Sequence, residues 1–264
     1  QNKNNKEQIT MNEVTQKKDA GLPAAGMFED DAGKGLGNIS QQDLALPFLK
    51  VLVQLSPQVN KRDGKYVEGA EPGMIFNSVT GDLYDGVKGI DVIPSFYKLE
   101  YVEWKDRGEG PGAPVMVYDS SSDIMSKTKP DASYRDRLPN GNYIEKTASH
   151  FVMITGDSPS TALISMTRTQ LKISRKWNSM MSGIKLKGKN GLYTPSSYSH
   201  IYKLKTTPMS NDKGNWFGWE VSKIGPVSNA GDYQQAKEFS ANVSKGAVKV
   251  KHGEEKPAES KSII

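Results

Sequence analysis

From Gly89 to Trp104 the chain carries Ile90, Val92, Ile93, Phe96, Tyr97, Leu99, Tyr101, Val102 and Trp104. This density of β-branched and aromatic residues reads as the longest strand of the chain. Pro94 cannot donate to a ladder, so a bulge or an edge position is expected there. Aromatic residues fall on both faces, so at least one of Tyr97, Tyr101 and Trp104 is expected at the surface.

Other segments give this strand its company. Phe48 to Val53 is a short apolar run between Pro47 and Ser56-Pro57. Met74-Ile75-Phe76 and Leu83-Tyr84 flank a turn-rich stretch and read as a hairpin. Strands are expected near Tyr143–Ile154 and Ala162–Thr167, and again over Tyr198–Thr206 and Trp216–Lys223, the latter two joined across Asn211 to Gly214. Residues 105 to 142 are rich in Gly, Pro, Ser and Asp and read as a long loop. Two helices are expected. In the first, about Thr169 to Ile184, Ile173, Trp177, Met180, Met181 and Ile184 recur as one apolar stripe. In the second, about Asp232 to Ser244, Tyr233, Ala236, Phe239 and Val243 recur at three- and four-residue steps. The order is mainly β and suits a partly open β-barrel of the oligonucleotide-binding (OB) type, with a central basic helix, a C-terminal helix and flexible termini. The expected divisions are a flexible segment over 1–43, the barrel over 44–230, and a helix with a disordered tail over 231–264. Ser40 to Asp43 has the form of a capping box.

Function classes can be narrowed next. There is no cysteine, which removes disulfides, thiolate catalysis and cysteine-ligated zinc. The three histidines, His150, His200 and His252, lack metal-ligand spacing. No run is long and apolar enough for a membrane span, and QNKNNKEQIT has no secretory h-region, so no membrane and a cytoplasmic setting are expected. Gly33-Lys34-Gly35 lacks the following Ser or Thr and the preceding strand of a phosphate loop. There is no Gly-x-Ser-x-Gly elbow and no dinucleotide fingerprint, so no enzymatic activity and no cofactor are expected.

The net charge of +5 says less than its distribution. From Ser158 to Asn211 there is no Asp or Glu, while the same stretch holds nine cations: Arg168, Lys172, Arg175, Lys176, Lys185, Lys187, Lys189, Lys203 and Lys205. A polyanion is the expected partner. On the helix, Lys172, Arg175 and Lys176 share a sector beside the apolar stripe. Lys185 to Gly191 reads as a flexible basic loop. Tyr193, Tyr198 and Tyr202 follow, interleaved with Lys203 and Lys205. Cations that track a backbone beside aromatic faces that stack on bases suit single-stranded nucleic acid. Trp216 and Trp104 are further stacking candidates, whereas Trp177, Phe217, Trp219 and Val221 are expected in the core.

Four pieces carry a family resemblance: Asp43 to Lys50, Gly73 to Gly81, Ile164 to Asn178, and Ser210 to Trp216. They resemble single-stranded DNA-binding proteins of the replication machinery of tailed phages with short tails, over roughly residues 20 to 250. The resemblance implies an OB-type fold, coating of exposed single strands during replication and recombination, and action in the infected host's cytoplasm. It also implies phage replication proteins as partners, and a homo-oligomer is compatible with it. The stretch Glu254 to Ile264 departs from the pattern, since it is not strongly acidic. A virion structural protein and a strand-annealing factor are the rival readings.

Overall fold

In a computed structural model, the described residues are 25–39, 43–106, 108–110, 112–212, 214–248 and 250. The capping box at Ser40 and the tail beyond Lys251 therefore lie outside the described residues, as does most of the segment expected to be flexible. The chain forms two units, Gln1–Ser40 and Gln41–Ile264. Among the described residues of the first, a short helix, α1 (Ala25–Asp30), is followed by turns.

The second unit is mainly β. Its strands are β1 (Leu49–Val51), β2 (Ile75–Asn77), β3 (Leu83–Tyr84), β4 (Ile90–Trp104), β5 (Met116–Asp119), β6 (Lys129–Pro130), β7 (Asp136–Arg137), β8 (Tyr143–Ile154), β9 (Ser160–Thr167), β10 (Leu186–Gly188), β11 (Gly191–Tyr193), β12 (His200–Asn211) and β13 (Gly214–Pro226). It also holds two longer helices, α2 (Leu171–Ser182) and α3 (Ala230–Ser244).

Five long strands form a curled, open half-barrel in the order β13-β12-β4-β8-β9, every neighbouring pair antiparallel. In chain order, β4, β8 and β9 follow one another, and β12 then returns to lie beside β4. That is the Greek-key order. The ladder between β4 and β8 runs from Val92 opposite Ile154 to Trp104 opposite Tyr143, and its register shifts between Pro94 and Phe96. The missing N–H of Pro94 thus falls at a bulge, as its sequence position predicts.

Alternation along the strands gives the sheet two apolar faces. On one face Val92, Ala148, Val152, Ile164 and Leu204 pack around Trp177 of α2. On the other, Ile93 and Met153 meet Ala236 of α3, while Phe151 and Leu163 meet Phe239. Each expected helix therefore covers one side of the sheet.

The half-barrel's outer strands, β9 and β13, share no ladder among the described residues. Side chains and a small second sheet bridge the gap instead. The Trp219 N–H in β13 donates to Gln170 Oε1, just ahead of α2, at 2.9 Å. The β1-β2-β3 sheet sends Leu49 and Ile75 into the main core, and the Leu163 N–H in β9 donates to the Pro47 carbonyl at 2.8 Å.

Residues 105–142 depart from the expected loop. They hold β5, β6 and β7, tied down by charged groups. Asp106 and Asp131 bind Arg135 and Arg137 at 2.8–3.0 Å, and both guanidinium groups lie over the Tyr143 ring. Glu103 is buried and accepts from Asn142, Tyr118 and Asn140. Burial pushes its carboxyl up, but those three hydrogen bonds outweigh it and leave the pKa below the usual value.

Candidate nucleic-acid interface

The cationic stretch begins where β9 ends. Arg168 has φ 48, an uncommon value for a residue with a side chain, and α2 starts three residues later. Along α2, Ser174 and Trp177 are buried. Ser174 Oγ lies 2.8 Å from His150 Nε2, and the Trp177 ring stacks on the His150 ring at 4.5 Å with 16° between planes. Tyr202 packs against the Trp177 ring from β12 at 5.8 Å. A helix turns 100° per residue, so anchoring at Ser174 and Trp177 sends Lys172, Arg175 and Lys176 to the far side. All three are exposed.

The basic segment expected to be a flexible loop is instead an ordered hairpin. It leaves directly after α2, and β10 and β11 pair with Leu186 opposite Tyr193, Lys187 opposite Leu192 and Gly188 opposite Gly191. Two residues, Lys189 and Asn190, make the turn, and Gly191 takes φ 108, which suits glycine. Lys185, Lys187 and Lys189 are exposed, and Lys185 Nζ donates to Thr194 Oγ1. Tyr193 is 49% exposed.

The remaining candidates divide. Arg168 pairs with Glu145 of β8 at 3.0 Å, and Lys203 pairs with Asp91 of β4 at 2.5 Å. The sequence has no acid near either residue along the chain; the sheet supplies one from a neighbouring strand. Lys205 is half-buried and faces Glu220 in the β12–β13 register. Tyr198 packs edge-on against Tyr233 of α3 at 5.3 Å, which ties it to that helix. Trp216 is half-buried opposite Met209.

Two stacking assignments are corrected by the structure. Tyr202 has 0% exposure, because β12 turns its ring into the core against Trp177. Trp104 is also buried, in a cluster with Val102 and Tyr143 where β4 meets β8. Neither ring presents a face to a base. Trp177, Trp219 and Val221 are in the core, as expected, and Phe217 is half-buried.

Sequence reasoning overlooked two features. Leu192, on the hairpin, is 74% exposed. Tyr134, between β6 and β7, is 83% exposed at φ 59, a strained placement for an aromatic residue. Neither carries a local sequence mark, since both lie in segments without apolar periodicity.

The surface that results has Lys172, Arg175, Lys176, Lys187 and Lys189 exposed and, among the described residues, outside any ion pair. Such a surface can neutralise phosphates. Among the described residues no group of three or more His, Asp or Glu side chains is placed to hold a metal ion, and no helix is long and apolar enough to cross a membrane.

A family model described as "Pam3 phage gp34-like protein" matches residues 15–249. The chain belongs to the Pam3 phage gp34-like family. No curated protein matches it. No solved structure matches it either. Membership makes this a phage protein. The match spans the half-barrel, both of its helices and the β10–β11 hairpin, so the cationic surface of this gp34-like protein lies wholly inside the family's extent.

Proposed function

We propose that this gp34-like protein binds single-stranded DNA with little sequence preference, and that it does so by holding phosphates rather than by catalysing a reaction. The observation that carries the reading is the exposed, unpaired cation set of α2 and the following hairpin, with the half-exposed Tyr193 ring beside it. Cations along a strand with an aromatic face for a base are the means by which single strands are held without sequence readout. The fold supports it too. An open five-stranded Greek key with a helix between its third and fourth strands fits the OB barrel, a common frame for oligonucleotide binding. In an infected cell such a protein would coat strands exposed by replication and recombination.

Titration of a fluorescent oligothymidine and an equal-length duplex, at low and moderate salt, tests this. The single strand should bind more tightly, with marked salt sensitivity. Changing Lys172, Arg175 and Lys176 together to Ala should weaken binding and make the log–log salt slope shallower by about 2, at roughly 0.7 per phosphate contact. Unchanged affinity and slope in the folded variant would remove α2 from the interface. Absence of binding to either nucleic acid by the unaltered protein would favour a virion role.

A further inference from the structure

We propose that the β10–β11 hairpin is a wedge that enters the junction between paired and unpaired DNA, with Leu192 as its inserting residue. This rests on the single-strand reading above and assigns the substrate more narrowly, as a forked end.

The hairpin's construction is the starting point. Among the described residues its two strands pair only with each other, forming a separate two-stranded sheet. So small a sheet cannot cover its own apolar side chains. Leu192 is 74% exposed, Tyr193 49% and Leu186 37%. Three large apolar side chains thus sit in the open on one short projection.

The register places them. Leu186 and Tyr193 are directly opposite and share one face, while Lys187 and Leu192 share the other. Gly188 keeps room for the Tyr193 ring: a Cβ there would lie 3.1 Å from its Cδ1 and 3.2 Å from its Cε1. One edge of the ring therefore lies close over the backbone at Gly188. The result is a thin blade with an aromatic ring on one side and an aliphatic side chain on the other.

Charge selects the occupant. Lys185, Lys187 and Lys189 line the same projection, and no Asp or Glu occurs from Ser158 to Asn211. Exposed apolar side chains alone would suit a protein surface. Exposed apolar side chains one and two pairs behind a Lys189-Asn190 turn, among lysines in no ion pair with any described residue, suit a polyanion that also offers an apolar interior, which in DNA is the base stack. Coating a uniform single strand uses cations and ring faces, and Leu192 is neither. Aliphatic side chains act on DNA by entering a base step and prising it open. A fork offers such a step with one side already unpaired, at the least unstacking cost.

The test uses the full chain with three fluorescent substrates: oligothymidine, a blunt duplex, and a forked duplex carrying 2-aminopurine at its first base pair. The fork should bind about tenfold more tightly than the blunt duplex, and the 2-aminopurine signal should rise as its pair opens. Leu192→Ser should abolish the signal rise and most of the fork preference, with oligothymidine affinity within about twofold of the parent. Leu192→Met should retain both. If Leu192→Ser binds oligothymidine normally and still opens the fork, the wedge is overturned and the single-strand reading stands. If the unaltered protein fails to bind oligothymidine, the single-strand reading falls and takes the wedge with it.

Discussion

His150 shows how one side chain can couple the sheet to the cationic helix. It sits on the inner face of β8, stacked on Trp177 and within 2.8 Å of Ser174, so both buried residues of α2 meet it. Burial pushes its pKa down to about 3, and among the described residues no acid acts to favour the charged form. The imidazole is neutral throughout the ordinary pH range of the folded protein. In the unfolded chain it titrates near 6.5, so between that value and 3 the unfolded state binds the extra proton. Stability present above pH 6.5 is therefore lost progressively as pH falls. Urea denaturation at pH 7 and pH 5 should show a loss of about 2 kcal/mol from this residue. His150→Phe should remove most of that pH dependence, whatever its effect on absolute stability. A smaller slope should persist from His200, whose pKa is also lowered, by burial and by Lys223. An unaltered slope in the Phe variant would mean that the ring at position 150 is not held neutral against α2.

At the scale of elements, the half-barrel depends on contacts that no local sequence pattern announces. The Thr206 N–H in β12 donates to the Gly86 carbonyl at 2.9 Å, and its hydroxyl donates to the Gly73 carbonyl. This docks the β2–β3 hairpin beside the barrel. A Cβ on Gly86 would fall 1.9 Å from the Gly73 carbonyl oxygen and 2.1 Å from Thr206 Oγ1, so neither backbone nor hydroxyl has room for it. Gly86→Ala should cost about 1–3 kcal/mol in chemical denaturation, as overpacking against rigid atoms does. A loss under about 0.5 kcal/mol, the range of an ordinary surface change, would mean that the hairpin is not docked there. Such a site is invisible in a linear reading, and the same division runs through the whole chain. The long strands, the bulge at Pro94 and both amphipathic helices were legible, because alternation, helical spacing and turn residues are local. The ordered elements of 105–142 were not, because Asp106 finds Arg137, and Glu103 finds Asn140 and Asn142, only once β4 and β8 are paired. The cations of α2 were legible as an acid-free run with a buried stripe opposite. Which tyrosines reach solvent was not. Tyr193 and Tyr202 belong to the same acid-free stretch, yet one lies on a hairpin paired only with itself among the described residues and the other under a helix.

For the molecule as a whole, the question is whether a bound strand engages the half-barrel or the lysines outside it. The chain carries further cations near its ends, such as Lys17, Lys18 and Lys251, outside the described residues. Strands bound equally well by the folded and the unfolded chain would leave the folding equilibrium of the half-barrel untouched. Strands bound on α2 and the hairpin would stabilise it, because that surface is built on Trp177 and Ser174 in the core and is lost on unfolding. At an oligothymidine concentration a hundred times Kd, the stabilisation should be about 2.7 kcal/mol. At roughly 2–4 °C per kcal/mol for a domain of this size, Tm should rise by about 5–10 °C. The rise should shrink with added salt as counterion release weakens binding, and shrink further in the Lys172, Arg175 and Lys176 triple variant at the same oligothymidine concentration. Tight binding in titration with no rise in Tm would move the interface off the folded half-barrel, leaving α2 and its hairpin as a basic surface awaiting a different partner.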